Sequence, residues 1–522
     1  MKWERTGPAA CRGATGLWVT LLMLLVAFGP VEGQTGIDGL ADEISGMVSD
    51  WAVPGLAVAI VQDDHVTFAQ GFGVRTTGGS DPVDENTIFA AGSTSKAFTA
   101  AAVAMLADEG ALHLDDPVLD HLPDFRLSDP YVTRAMRVRD LMAHNSGLLR
   151  GDRIWYSSGR SREEILHQAR YQPLTHPLRA TFEYNNIMWI AAGEVIEERS
   201  GMSWDRFMEE RIFTPLGMSR SNTSVGPLTK MDNVASPHIE LPDGGLKAVP
   251  YRNIDNAGPA GSINASALDL AQWVRLHLGD GEFEGTRLVS EEQIRESHTG
   301  QMIMRTEGSW GMIFPESDFL TYGLGWFLSE YRGLKMVSHG GNIDGMTAFV
   351  AFVPERDYGF VLLANLNGAN AFISALAHRL IDRFEGGEGE DWSARMQKVW
   401  DGVLKQAEEQ RRKVEEGRIE GTSPSLPLAD YVGVYESPMY GEISVTQSGD
   451  GLAARFGEGF HGPLQHWHYD TFRAIWDDPS ESKEFFRFEL GTDGAVQTLH
   501  AEIEGPQEFV KRAEEGPDAG ND

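Results

Sequence analysis

Cysteine is almost absent from this chain of 522 residues: the one example is Cys11. It precedes the apolar run Leu17 to Phe28, whereas a lipid-bearing cysteine would follow such a run. A chain trimmed after this region carries no thiol, which excludes disulfides, a cysteine nucleophile and a cysteine-based zinc site. Positive charge is scarce too, with 44 Lys and Arg against 77 Asp and Glu and a formal charge of −33. So acidic a surface disfavours nucleic acid and anionic membrane as partners. No stretch after the N-terminus is long and apolar enough for a membrane helix. The pattern Gly-x-Ser-x-Gly is missing, which argues against a hydrolase built on a nucleophile elbow. No cofactor is called for.

What is present suffices for two or three domains with sizeable cores, hydrophobic residues making up 41% of the chain. Lys2, Arg5 and Arg12, the apolar run, and Val31-Glu32-Gly33 read as a secretory signal over 1–33, hence an exported, periplasmic or secreted protein. Helical spacing of Ile37, Leu40, Ile44 and Met47 predicts a helix over 37–51. A hairpin is predicted around Asp63-Asp64, from Leu56–Val61 and Val66–Ala69. The middle third reads as helix and loop, with helices predicted over 161–170, 186–199, 203–216 and 266–278. A second hairpin follows, Thr347–Val353 with Tyr358–Asn365, then a helix over 371–384. Strands at both ends with helices between predict an α/β (α+β) fold: an antiparallel sheet flanked by helices, built over 34–385 with a helical insertion. A charged helix and linker fill 386–426. Short strands with turns over 427–513 predict a small all-β domain, barrel or sandwich. Residues 514–522 read as a disordered tail.

Three stretches carry chemistry. Ala91-Gly92-Ser93-Thr94-Ser95-Lys96 runs from a turn into an alanine-rich helix. Ser93 and Lys96, three apart, then share a face, and an amine beside a hydroxyl can take its proton. The helix start adds free N–H groups suited to an oxyanion. The bland alternative is a capping serine with a solvated lysine. In Tyr184-Asn185-Asn186, a phenol near that pair can act as a base and an amide can hold a substrate oxygen; the alternative is a tyrosine packed ahead of a helix. Val337-Ser338-His339-Gly340-Gly341-Asn342, read as a strand at a sheet edge, sets an imidazole beside glycines that let a substrate approach the backbone. The alternative is a loop histidine with turn glycines.

In this order the three stretches resemble the serine β-lactamase and penicillin-binding-protein superfamily. Within it the chain is most similar to the class C β-lactamases and their esterase, DD-carboxypeptidase and D-aminopeptidase relatives, over about residues 36–385. Leu141–Leu148 is similar to the family's His-x-Ser-Gly-Leu segment, and Gly258–Ile263 to its glycine loop. The resemblance implies that Ser93 is the acylated nucleophile, Lys96 the proton acceptor or electrostatic partner, Tyr184 the general base and leaving-group acid, and Asn186 a contact to a substrate amide. His339, with Gly340 and Gly341, stands where the lactamases have Lys-Thr-Gly. The N–H groups of Ser93 and Asn342 would form the oxyanion hole. A neutral-capable histidine and a missing hydroxyl at Gly340 weaken recognition of a β-lactam carboxylate, and the class A Ser-Asp-Asn is absent. The implied activity is therefore a serine hydrolase acting on an ester or a D-amino-acid amide or peptide bond. A β-lactamase and a penicillin-binding sensor that acylates without turnover are the alternatives, and a non-enzymatic interaction protein is a third. Residues 427–512 are similar to the lipocalin-like β domain that trails such chains. His461, His466 and His468 there read as surface and packing residues rather than as metal ligands.

Overall fold

The structure, a computed structural model, describes residues 36–513 except 242, 243, 307 and 388. The expected signal segment and tail lie outside the described residues.

Eight strands form one antiparallel sheet. They are β1 (Gly55–Gln62), β2 (His65–Gly73), β3 (Met302–Met304), β4 (Leu320–Tyr322), β5 (Phe327–Tyr331), β6 (Leu334–Ile343), β7 (Met346–Val353) and β8 (Tyr358–Ala364), in the order β2-β1-β8-β7-β6-β5-β4-β3. The first and last parts of the chain therefore meet at the β1–β8 pair, with Val58 opposite Leu362. Both turns predicted as hairpins are tight. Asp63 and Asp64 take positive φ, 49° and 60°, between β1 and β2; this conformation suits a short polar side chain. β1, β7 and β8 are buried almost throughout, so they read as continuous apolar runs rather than alternating ones. Helices on both sides of the sheet produce that.

His339 does not stand at a sheet edge, because β6 lies inside the sheet between β7 and β5. Three strands from the supposed helix-and-loop region extend the sheet beyond it.

The helices that matter are α1 (Leu40–Asp50), α2 (Ser95–Asp108), α3 (Ile187–Ser200), α4 (Ala267–Leu278), α5 (Ser309–Ile313), α6 (Asn370–Phe384) and α7 (Trp392–Glu416). α2 is buried on every side from Ser95 to Leu106, which fits an alanine-rich helix with no polar face. Phe98 stacks on Trp273 of α4 with centroids 3.9 Å apart. Burial of each large side chain of this kind contributes about 1.5–3 kcal/mol. The helix stops at Glu109, and Gly110 follows with φ 70°. Asp382 of α6 ties α7 to this body, accepting from Tyr331 Oη at 2.7 Å and Trp392 Nε1 at 2.8 Å.

Beyond α7, β9 (Gly433–Ser437), β10 (Gly441–Ser448), β11 (Gly451–Phe456), β12 (Phe460–His468), β13 (Thr471–Ala474), β14 (Glu484–Leu490), β15 (Val496–Glu502) and β16 (Pro506–Lys511) close into a barrel. The choice between barrel and sandwich is thus decided by the pairing of β9 with β16. No helix among the described residues is long and apolar enough to cross a membrane.

Candidate functional site

Ser93 sits in a 3-10 turn, Gly92–Thr94, just ahead of α2. No side chain caps the helix there, so the alternative of a capping Ser93 is not what the structure uses. Instead Ser95 Oγ donates to the Gly92 carbonyl at 2.7 Å and accepts from Ile263 N–H at 3.1 Å. Together with Ala91 N–H on the Ile263 carbonyl at 2.8 Å, these bonds fasten the turn to the glycine loop.

Lys96, on the first turn of α2, is 0% exposed. Its Nζ lies 3.0 Å from Ser93 Oγ and 2.7 Å from the Ala260 carbonyl oxygen. Burial, helped by the positive charge of Arg150 and opposed by Asp152, pushes the amine well below its ordinary pKa. A buried neutral amine can accept a proton from the hydroxyl beside it. The residues around Ala260 are held in turn. Thr99 Oγ1 donates to the Pro259 carbonyl at 2.8 Å and accepts from Trp204 Nε1 at 2.9 Å.

Tyr184 reaches the same point from the loop before α3. Asn185 fixes that loop: its Oδ1 accepts from Met188 N–H at 3.1 Å, its Nδ2 donates to the Leu149 carbonyl at 2.9 Å, and its N–H donates to His144 Nδ1 at 3.0 Å. The His144 ring stacks on Tyr184 with centroids 4.1 Å apart. Lys96 Nζ lies 4.8 Å from the centroid of the Tyr184 ring. Burial pushes the Tyr184 phenol up to about 12, while its hydrogen bond with Ser93 and the charge of Arg150 pull the other way. The phenol is therefore protonated at neutral pH, which favours Lys96 over Tyr184 as the first proton acceptor.

His339 is 1% exposed. Its Nδ1 lies 2.6 Å from the Gly340 carbonyl and its Nε2 2.9 Å from Tyr322 Oη. A carbonyl only accepts, so Nδ1 carries the proton and Nε2 accepts from the Tyr322 hydroxyl. Burial, then the nearby Lys96, lower its pKa to about 3. His339 is thus a neutral ring with both nitrogens engaged, quite unlike a lysine ammonium.

The two glycines after it differ. A Cβ on Gly341 would stand 1.9 Å from the Ala91 carbonyl oxygen and 3.1 Å from Ser93 N. The bare backbone of β6 is what lets this strand lie against the Ser93 turn. A Cβ on Gly340 would meet nothing closer than 3.8 Å, so Gly340 lacks a hydroxyl without needing the space. From the other side, a Cβ on Gly92, whose φ is 53°, would stand 2.9 Å from Asn342 N. The backbone amides of Ser93 and Asn342 are thus close neighbours. The Asn342 side chain turns to Asn370, donating to its Oδ1 at 3.1 Å.

Asn186 donates from Nδ2 to Asp152 Oδ1 at 2.8 Å. Asp152 also pairs with Arg150 and accepts from Trp155 Nε1 at 2.9 Å. Its backbone N–H donates to Glu504 Oε1 at 2.7 Å. Glu504 belongs to the turn between β15 and β16, so the barrel itself reaches the site. Arg150, Asp152, Tyr322 and Glu504 are residues that the sequence reading missed. Nothing in local spacing marks them, and Glu504 lies 411 positions from Ser93 in sequence order.

Ser93, Arg150 and Asn342 line two cavities at once. One, of about 210 Å³, includes Tyr184 and His339 and is walled mainly by apolar residues; the other, of about 390 Å³, includes Asn186, Asp152 and Glu504. The structure thus brings Ser93, Lys96, Tyr184, His339, Asn186, Gly340, Gly341 and Asn342 into one region. Among the described residues, no group of three His, Asp or Glu side chains is arranged to hold a metal.

Residues 40–383 match the Beta-lactamase family. The chain belongs to that family. Residues 417–514, which include the barrel, match a domain of unknown function, DUF3471. This Beta-lactamase-family chain is 29% identical over 512 residues to "Unguisins hydrolase ungD" of Aspergillus violaceofuscus, spanning 93% of this chain and 88% of that protein. It is 29% identical over 344 residues to "Penicillin-binding protein 4" of Amycolatopsis lactamdurans, spanning 64% of this chain and 86% of that one. The octameric penicillin-binding protein homologue from Pyrococcus abyssi has a similar fold, with a TM-score of 0.60, 23% identity, and 91% and 99% of the two chains covered. The protein is a serine hydrolase of the Beta-lactamase family.

Proposed function

We propose that Ser93 is the nucleophile of an acyl-transfer reaction and that the protein is an exported hydrolase of an ester or a D-amino-acid amide or peptide bond. The observation that carries this reading is the fully buried Lys96 amine, 3.0 Å from the Ser93 hydroxyl. The neutral amine takes the Ser93 proton as Oγ attacks the substrate carbonyl. The neighbouring amides of Ser93 and Asn342 receive the oxyanion. Tyr184 O–H donates to the leaving atom and recovers its proton from Lys96. Water then repeats the sequence on the acyl-enzyme and frees Ser93.

Against the β-lactamase alternative stand the neutral His339 and the missing hydroxyl at Gly340, since neither can hold a substrate carboxylate. Export rests on Lys2, Arg5, Arg12 and the apolar run behind them. The named hydrolase among the relatives supports a hydrolytic reaction. The test is a substrate panel of p-nitrophenyl butyrate, D-amino-acid p-nitroanilides, D-alanyl-D-alanine and nitrocefin. Turnover of the ester or the D-anilide above nitrocefin supports the reading. Efficient nitrocefin hydrolysis with neither of the others would replace it with the β-lactamase.

A further inference from the structure

The two cavities beside Ser93 differ in kind, and Tyr184 lines only the smaller one while Asn186 lines only the larger. In any acyl transfer the leaving atom must lie beside the group that protonates it. If Tyr184 is that group, the leaving part of the substrate enters the 210 Å³ cavity. We propose that this cavity is a leaving-group pocket for a bulky, uncharged apolar amine or alcohol, such as an aromatic or branched aliphatic residue within a peptide. The proposal rests on Ser93 acting through an acyl-enzyme and goes beyond it by naming the departing half of the substrate.

The walls explain the choice. Trp310 and Phe314 come from α5 and its end, Phe327 and Phe349 from the sheet, and Ile373 and Ala377 from α6. Trp310 and Phe327 lie with ring centroids 5.0 Å apart, and Phe314 and Phe327 5.5 Å apart, so the wall is a continuous aromatic surface. Ser374 and His378 of α6 are engaged within the fold. Ser374 Oγ donates to the Ile313 carbonyl at 3.2 Å, and His378 Nδ1 to the Ser374 carbonyl at 2.8 Å. Arg150, the cation that lines this cavity, is paired through Nε with Asp152. A departing residue with a free carboxylate would have to draw Arg150 from Asp152 or bury its charge without a partner, and an unpaired charge is costly to desolvate. A departing alanine would leave the aromatic wall unfilled. The pocket therefore favours an internal bond over the last bond of a peptide.

Acceptor competition tests this, because the pocket that releases an amine also receives one in the reverse direction. The acyl-enzyme is formed from p-nitrophenyl butyrate. Phenylalanine amide, alanine amide or free phenylalanine is added in either configuration, and butyryl-amine is measured against butyrate. In the transfer, the amine nitrogen bonds to the acyl carbon as the Oγ–C bond breaks, and its proton returns to Ser93 through Tyr184 and Lys96. Phenylalanine amide is expected to capture the acyl group at least tenfold better than alanine amide and than free phenylalanine, the scale of discrimination an apolar pocket provides. Ala377→Phe, which fills the pocket, is expected to cut the phenylalanine-to-alanine ratio about tenfold; both amides are read in the same variant, so any loss of folded enzyme cancels. A flat ratio in the native protein, a preference for the free carboxylate, or no transfer to phenylalanine amide overturns the proposal even if Ala377→Phe fails to fold. Absence of an acyl-enzyme altogether would instead overturn the Ser93 reading.

Discussion

Lys96 Nζ bridges Ser93 Oγ, at 3.0 Å, and the Ala260 carbonyl oxygen, at 2.7 Å, from a position with no solvent exposure. A lysine so placed is set up to exchange protons rather than to carry a charge. Lys96→Met keeps the length of the side chain and removes the amine. Labelling by a fluorophosphonate is expected to slow by about 10²–10⁴-fold, the usual contribution of a positioned acid–base group. Stopped labelling time courses of the two proteins check it.

Arg150 lowers the pKa of Lys96 by charge, after the larger effect of burial. Activity falls on the acid side as Lys96 becomes protonated, so this limb should lie well below the ordinary lysine range. Removing a neighbouring positive charge raises the pKa of an amine. Arg150→Gln is therefore expected to move the acid limb of kcat/KM to higher pH. A pH–rate profile of ester hydrolysis reads the shift, and an unmoved or lowered limb contradicts the assignment.

Gly341→Ala would place a methyl 1.9 Å from the Ala91 carbonyl oxygen. Backbone lies on both sides, so the strand or the Ser93 turn must move and separate the two amides. Loss of an aligned oxyanion donor costs about 10²–10³ in rate. Gly340→Ala, with nothing nearer than 3.8 Å, is expected to keep most of the labelling rate. The pair of variants separates close backbone approach from a general intolerance of side chains on β6.

Six buried histidines, His238 among them, have lowered pKa values, chiefly through burial. His277 and His339 lie at about 3 and His378 at about 4, with His144 and His298 also well below 6.5. Between 6.5 and these values the unfolded chain binds protons that the folded one refuses, so stability falls as pH falls through that window. Each histidine contributes a slope of about 1.4 kcal/mol per pH unit there. Denaturant midpoints at pH 7, 6, 5 and 4 should drop progressively, and His277→Phe should flatten the decline.

Much of the site was legible because its parts are local. Ser93 and Lys96 are three residues apart, Tyr184 stands three residues before a helix, and His339-Gly340-Gly341 lies in one strand. The two hairpins and α2 were equally readable from apolar runs and an alanine-rich stretch. What escaped depends on distance or on brevity. β3 and β4 have three residues each, too few to show a period, and β5, the neighbour of β6, has only five; with β5 unread, β6 looked like an edge. The Tyr322 contact to His339 lies on one of those strands. Glu504 reaches Asp152 only because the barrel docks there, and docking leaves no pattern in either segment. Arg252 belongs to the same interface, bonding Asp344 on one side and Asp478 of the barrel on the other at 2.6 and 2.7 Å.

The central claim is that Ser93 becomes acylated. Intact-mass and peptide-mapping measurements after brief incubation with a fluorophosphonate test it most directly. One added group on the peptide carrying Ser93, absent from Ser93→Ala, is the predicted result. An adduct that persists in Ser93→Ala, or one mapped to another serine, would contradict it.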